Sequence, residues 1–315
     1  MYLSESTIRE HLAYAALIPA IRQALMDYSA GLVLQPARTI LRAGNAEGRA
    51  NGWFATMPAI AGNYIAVKIV TYYAANDEID LPTHMAVIEL IDRANGQPLA
   101  VMDGRLITEM RTAAVSAAAF QALAPLHFSA PPTSLGILGS GVQAHAHLQA
   151  LQPIWPQLDQ IRIASRNPAN VEKLVAQTQN AHTATAEEAA SADVVLVATT
   201  SYTPVLQGRW LQPNALVLAV GATGASVREL DDEAMQSSFV IAESRDCVER
   251  ESGDVLLSGA RVQAEIGEIF LNLDLDPIVV AIPRNQRIVF KTVGMAIEDL
   301  TAATLVWESL KASQS

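Results

Sequence analysis

Cysteine is nearly absent: Cys247 is the only one in 315 residues. No intrachain disulfide can form, and the composition suits a reducing compartment, so the expected location is the cytoplasm. Charged residues make up only 17% of the chain, and no Lys/Arg cluster interrupts its formal charge of −11, which argues against nucleic acid as a partner. No apolar run approaches the length of a bilayer span, so no membrane partner is expected. The opening Met1-Tyr-Leu-Ser-Glu-Ser6 lacks the basic start and apolar stretch of a signal peptide. Internal repeats and low-complexity tracts are missing too. His145 and His147 stand two apart in a helical stretch and point in different directions, so no zinc helix and no metal is expected. No Ser-His-Asp spacing supports nucleophilic hydrolysis. What remains is a half-hydrophobic chain long enough for two domains, each with its own core.

The stretch from Ser134 to Asn167 carries the most information. Ser134-Leu-Gly-Ile-Leu138 is an uncharged apolar run, the pattern of a strand buried on both faces. Gly139-Ser140-Gly141-Val142-Gln143-Ala144 follows as a G-x-G-x-x-A turn. A helix from Ala144 to Leu151 and a second strand, Ile161–Ala164, come next. Gly139 permits the tight turn, a side chain at Gly141 would block a pyrophosphate, and Ala144 lets the helix pack close to the strand. The helix N-terminus offers free N–H groups and a positive dipole end to the phosphates. The strand–turn–helix–strand context makes this a dinucleotide-binding site. Its second strand ends in Ser165-Arg166-Asn167, without the acid that would hold the ribose 2′-hydroxyl of NAD. Arg166 suits a 2′-phosphate instead, although it also reads as a solvated surface residue; NADP(H) is the preferred cofactor, NAD(H) the second.

Around this centre the chain changes character. The first thirty residues read as helix, with Ser4 as N-cap, a buried stripe of Leu17, Ile18, Ile21, Ala24 and Leu25, and a stop at Gly31. From Leu34 to Met102 strands dominate: Thr39–Leu41, a polar loop at 43–51, Gly52–Met57, Tyr64–Tyr73, and Met85–Ile91 with Pro98–Met102 about the hairpin turn Asn95-Gly96. Ile107–Leu123 is a helix with Thr108 as candidate cap, uncharged beyond Arg111. Pro131-Pro132 marks entry to the nucleotide domain. Helix Val171–Thr178 and strands Asp193–Ala198, Ala215–Val220, Phe239–Glu243 and Ile288–Phe290 continue an alternation that predicts a parallel sheet covered by helices. A last helix, Met295–Leu310, is apolar on one side and is expected to pack on the first domain. The fold class is therefore α/β: a Rossmann-type doubly wound parallel sheet plus a mixed α+β domain.

Few residues in the first region carry chemistry. Lys68 is the only charge in the apolar strand Tyr64–Tyr73, and a buried ammonium needs a partner or a task. The structural alternative is a lysine that snorkels from an edge strand. Arg111, near the start of its helix, is a candidate clamp for a substrate carboxylate, since a cation there is unfavourable without an anion. Arg38 is a second clamp or a surface ion pair. His84 enters the hairpin strand either towards the same cleft or as a satisfied structural histidine.

Several motifs together resemble the ornithine cyclodeaminase and mu-crystallin family. They are Gln35-Pro-Ala-Arg-Thr39, Val101-Met-Asp-Gly104, Arg111-Thr-Ala-Ala-Val-Ser116 and the glycine turn. Further along stand Arg228-Glu-Leu-Asp-Asp232, Glu251-Ser-Gly-Asp-Val-Leu-Leu-Ser-Gly259 and Phe290-Lys-Thr-Val-Gly-Met295. The C-terminal set is more similar to the mu-crystallin, ketimine reductase branch. The resemblance implies a substrate-binding and dimerisation domain at 1–125, completed by the C-terminal helix 293–315, with the Rossmann domain at 126–292 between, and a homodimer. It implies substrate binding by Arg38, Lys68 and Arg111, with Thr112, His84 and Thr223 beside them, and catalysis by Lys68 and Arg111. It implies cofactor binding by Gly139 to Gln143, Ser165 to Asn167, Thr199, Thr200, Val220, Gly221, Val293 and Gly294.

One departure bears on the reaction. Cyclodeaminases of the family resemble Val-Gly-Gly-Asp after the strand ending here at Val220, with the Asp as proposed catalytic carboxylate. This chain reads Val220-Gly-Ala-Thr223-Gly224. A threonine cannot serve as carboxylate base near neutral pH. Reduction is therefore expected over deamination: hydride transfer from NADPH to a cyclic ketimine carboxylate, Δ1-pyrroline-2-carboxylate or Δ1-piperideine-2-carboxylate, giving L-proline or L-pipecolate. Alternatives are the cyclodeaminase itself, alanine-dehydrogenase-like or opine-like reductive amination, and a non-catalytic NADPH-holding binder.

Overall fold

The computed structural model describes residues 1–44, 50–275 and 282–314. Of the loop expected at 43–51, residues 45–49 lie outside the described residues, as does Ser315 of the expected last helix. The chain divides into two compact units, Met1–Arg111 with Met295–Ser315, and Thr112–Gly294. The sequence places this division at 125/126, near the end of a helix. That helix runs unbroken across 111/112, so no composition shift marks the change.

The first unit begins with β1 (Tyr2–Leu3), α1 (Glu5–His11) and α2 (Tyr14–Ser29). Strands β2 (Thr39–Gly44), β3 (Ala50–Ala61), β4 (Tyr64–Tyr72), β5 (His84–Asp92) and β6 (Pro98–Asp103) follow, then α3 (Gly104–His127). Ser4 caps α1 by accepting from the Thr7 N–H, and Gly31 takes φ +75° after α2. The stripe Leu17, Ile18, Ile21, Ala24 and Leu25 is buried, as its spacing requires. The six strands lie in the order β1-β6-β5-β4-β3-β2, antiparallel except that β1 runs parallel to β6. Gly96, at φ +76°, turns β5 into β6. The C-terminal helix α11 (Ala296–Gln314) packs on α2 and against β3, β4 and β5. It covers the face to which Ala55, Met57, Ala66, Lys68, Val70, Ile88 and Leu90 point, all buried. The other face, one residue out of register, keeps Leu41, Ile69, Met85, Val87 and Val101 exposed.

The second unit starts within α3, at Thr112, and goes on with β7 (Ser134–Leu138), α4 (Val142–Leu151), β8 (Gln160–Ala164), α5 (Pro168–Ala176), β9 (Ala181–Thr183) and α6 (Ala186–Ala190). It continues through β10 (Val194–Val197), β11 (Leu216–Ala219), α7 (Asp232–Gln236), β12 (Phe239–Ala242), α8 (Arg245–Glu251) and α9 (Gly253–Ser258). β13 (Val262–Glu265), α10 (Ile266–Leu275) and β14 (Ile288–Lys291) complete it. All eight strands are parallel, in the order β13-β12-β14-β11-β10-β7-β8-β9. β10 (VVLV) and β11 (LVLA) are buried along their whole length, as uncharged strands with both faces covered must be. This is a doubly wound, Rossmann-type sheet, and its strand order reverses between β7 and β10. Ligands of such sheets bind at the carboxyl ends of the strands beside that reversal. Among the described residues no helix is long and apolar enough to cross a membrane.

Candidate functional site

In the second unit, β7 delivers the glycine turn to the strand-order reversal. Gly139 has φ +124°, and a Cβ there would collide with the Ala198 carbonyl oxygen. Gly141 is different: it is exposed, and an added Cβ would meet nothing within 4 Å. Gly141 also occupies the N-cap of α4, so no side chain caps that helix. Ala144 is fully buried against the sheet. Open space above a glycine and an uncapped, positively polarised helix end fit a dinucleotide pyrophosphate. At the tip of β8, the Ser165 hydroxyl accepts from the Asn167 N–H, and the Asn167 side chain caps α5 by accepting from the Asn170 N–H. Arg166 is exposed between them, with no ion pair among the described residues.

The adjoining strand ends are tied by buried carboxylates whose role the sequence did not disclose. Glu229 Oε1 accepts from the Thr199 N–H (2.6 Å) and hydroxyl (2.7 Å), and Oε2 accepts from the N–H groups of Gly221 (2.7 Å) and Ala222 (2.9 Å). One side chain thus joins the loops after β10 and β11. Burial pushes the Glu229 carboxyl up to about 7, against the pull of Lys291. Its own N–H donates to Asp254 Oδ1, whose other oxygen lies 3.3 Å from the Lys291 ammonium. Glu243, at the end of β12, accepts from the N–H groups of Val293 and Gly294, each at 2.5 Å. Of the expected cofactor residues, Thr199, Gly221, Val293 and Gly294 therefore spend these polar groups on holding loops. Val220 is buried, and Ser140 and Gln143 are half-buried. Val142 and Thr200 are exposed, and so is Thr223, one of the expected substrate residues. Glu229 and Asp254 stand inside two of the motifs that carry the family resemblance and Glu243 ends an apolar strand, but no local pattern says which loop each one holds.

The first unit holds the other half of the expected chemistry. Lys68 is 2% exposed and points from β4 towards α11. Its ammonium lies 2.6 Å from Asp299 Oδ2. Arg111 donates through Nε to Asp299 Oδ1 (3.2 Å) and through Nη1 to Glu298 Oε2 (2.6 Å). Glu298 and Asp299 occupy the first turn of α11, where the helix dipole favours negative charge. That turn is held in place by Gln35, whose side-chain oxygen accepts from the Ile297 N–H at 2.8 Å. This gives the Gln of the Gln35–Thr39 motif a role the sequence did not disclose. Burial pushes Lys68 down to about 8; Asp299 opposes the shift, while Arg111 and Arg38 add to it. His84 is half-buried, and burial with the nearby Lys68 and Arg111 charges pushes it down to about 4, so it is neutral at physiological pH. Arg38 is half-buried and Thr112 buried.

Two expectations need correction. Arg111 does not open its helix: α3 starts at Gly104, fixed where the Arg105 N–H donates to Asp103, and Arg111 lies two turns further in. Thr108 is likewise no cap, since its hydroxyl donates back to the Gly104 carbonyl at 2.7 Å. The anions that Arg111 and Lys68 require come from α11 of the same chain. The signal was present in the sequence as two adjacent acids, Glu298-Asp299, at the head of an apolar helix. His147 is fully buried, bonded to the Gln143 carbonyl and the Ser116 hydroxyl, and its burial pushes it down to about 4. Among the described residues no group of His, Cys, Asp and Glu could hold a metal ion.

The chain is 38% identical to ketimine reductase mu-crystallin of Mus musculus, over 98% of this chain and 96% of that one. It is 29% identical to the Delta(1)-pyrroline-2-carboxylate/Delta(1)-piperideine-2-carboxylate reductase of Azospirillum brasilense, over 96% and 94% of the two chains. Among solved structures, Thermococcus litoralis Delta(1)-pyrroline-2-carboxylate reductase, in complex with NADH and L-proline, superposes with a TM-score of 0.90 at 29% identity, covering 100% of this chain and 98% of that one. The profile of one family matches residues 1–314, the same family that the motifs resemble. With its two-unit architecture, its glycine turn and these relatives, the chain belongs to the ornithine cyclodeaminase/mu-crystallin family.

Proposed function

We propose that this protein is an NADPH-preferring reductase of cyclic ketimine carboxylates, taking Δ1-pyrroline-2-carboxylate or Δ1-piperideine-2-carboxylate to L-proline or L-pipecolate. The observation that carries the reading is the buried Lys68 ammonium held beside Arg111, in a chain whose loop after β11 has Thr223 and no acid. The similarity to ketimine and pyrroline-carboxylate reductases supports the same chemistry. The open space at Gly141 and the uncapped start of α4 suit the coenzyme pyrophosphate, and exposed Arg166 suits a 2′-phosphate. NADPH bound there supplies the hydride to the imine carbon. Arg111 and Arg38 orient the substrate carboxylate through charge-assisted hydrogen bonds. Lys68, with its proton affinity lowered by burial, supplies the proton that the imine nitrogen needs. Thr223 offers a hydroxyl where a deaminating member would offer a base. The exposed apolar residues on the open face of the first sheet support a homodimer: Ile69 on β4 stands opposite Val87 on β5, and Met85 lies two residues along the same strand.

Purified protein with NADPH or NADH should consume coenzyme absorbance with either cyclic ketimine. Pyruvate plus ammonia, ornithine, and pyruvate plus an amine serve as the rival substrates. Faster turnover on a rival would replace the ketimine assignment, and tight NADPH binding with no turnover would favour a binding protein. Arg166→Ala should weaken NADPH by about tenfold or more while changing NADH by less than about twofold. Equal losses for both coenzymes would remove Arg166 as reader of the phosphate.

A further inference from the structure

We propose that Asp299 is the positioning residue of proton delivery: one of its oxygens aims the Lys68 ammonium, the other anchors Arg111. The inference rests on the reductase reading above and adds the group that makes its proton donor work. Three observations carry it. Asp299 is 1% exposed and divides its two oxygens between two cations, Oδ2 to Lys68 at 2.6 Å and Oδ1 to Arg111 at 3.2 Å. It sits in the first turn of α11, and Gln35 fixes that turn. Glu298 takes the other side of Arg111, so two buried carboxylates of one helix turn face Lys68 and Arg111.

That pairing gives the reaction a direction for its proton. The imine nitrogen takes a proton from Lys68 through its lone pair, the adjacent carbon accepts a hydride, and the C=N bond becomes CH–NH. Lys68 is left as a neutral amine beside the Asp299 carboxyl group. Asp299 then faces one cation fewer, which favours the return of a proton to Lys68 from solvent. The other main influences on Lys68 disfavour its charged form: burial, Arg111, and Arg38 from the segment before β2. His84 on β5 is neutral and adds no charge. The cross-strand neighbours of Lys68, Met57 and Ile88, are apolar.

The test compares wild type, Asp299→Asn and Lys68→Arg with Δ1-piperideine-2-carboxylate and NADPH across roughly pH 6 to 10, with melting temperature and NADPH affinity measured for each. Wild-type kcat should fall as pH rises through about 8, where Lys68 loses its proton. In Asp299→Asn that fall should move to lower pH by about one unit or more, and kcat at neutral pH should drop about tenfold or more. Lys68→Arg keeps the ion pair but cannot release its proton; it should retain ketimine KM within about threefold and lose about a hundredfold or more in kcat. An Asp299→Asn enzyme with a merely lower rate and an unmoved pH limb has lost structure only, and overturns the proposal. So does a Lys68→Arg enzyme with wild-type kcat, which also carries the test if Asp299→Asn does not fold. If wild type binds NADPH but reduces no ketimine, the reductase reading itself has failed and this inference falls with it.

Discussion

Gly139 and Gly141 lie two residues apart and lack a side chain for different reasons. Gly139 needs a left-handed backbone and would push a Cβ into the Ala198 carbonyl, so its constraint is internal to the fold. Gly141 has φ −88° and open space around it, so nothing among the described residues requires it to lack a side chain. Gly139→Ala is therefore expected to cost about 1–3 kcal/mol of stability, seen as a lower melting temperature. Gly141→Ala should change stability by less than about 0.5 kcal/mol, since it neither strains nor crowds the backbone. Its effect should appear instead as an NADPH affinity weakened about tenfold or more, followed by coenzyme fluorescence. Undiminished binding by Gly141→Ala would remove the pyrophosphate from this turn. The motif alone names both glycines, but only the three-dimensional surroundings separate the structural one from the one that leaves room.

At the scale of elements, β10 and β11 end side by side and need something to fix the loops that leave them. Glu229 does this with four accepted hydrogen bonds, and its fold position is fixed in turn by Asp254 and Lys291. Glu229→Gln keeps the shape but leaves one oxygen for two pairs of donors, so an amide N–H would face a backbone N–H. Leaving buried donors unmet costs about 1–3 kcal/mol each, and the variant should melt at lower temperature. NADPH affinity should fall several-fold while ketimine KM at saturating coenzyme stays near wild type; the opposite split would show that this clamp does not serve the coenzyme end. Element by element, the apolar patterns located every strand named from the sequence, because buried strands are uncharged runs and half-buried strands alternate. The short helices α6 to α9 went unread, since a helix of two turns or less has too few apolar positions to show a period.

At the scale of the molecule, the first unit is assembled from the two ends of the chain, with α11 returning to cover the sheet made by β1 to β6. Covering one face leaves the other, where Val87 and Ile69 stand opposite each other on neighbouring strands. If that face joins two copies, Val87→Lys should shift the protein from dimer to monomer in sedimentation velocity, with melting of the isolated chain changed by less than about 1 kcal/mol. A wild-type protein that sediments as a monomer at all concentrations would end the dimer reading. The return of α11 is also what brings Glu298 and Asp299 to Lys68 and Arg111, across well over a hundred residues of chain.

The sequence by itself determined the class of fold, the place of the glycine turn between strand and helix, and the need of Lys68 for a partner. These follow from local rules: apolar runs, glycine spacing, and the cost of burying a lone charge. It could not say that Lys68 and Arg111 are answered by acids from the last helix, or that Glu229 ties two strand ends together. Those pairings join residues remote in sequence, and Coulomb attraction in a buried site depends on distance through space. Only the folded chain sets that distance, so only the tertiary structure decided which charges meet.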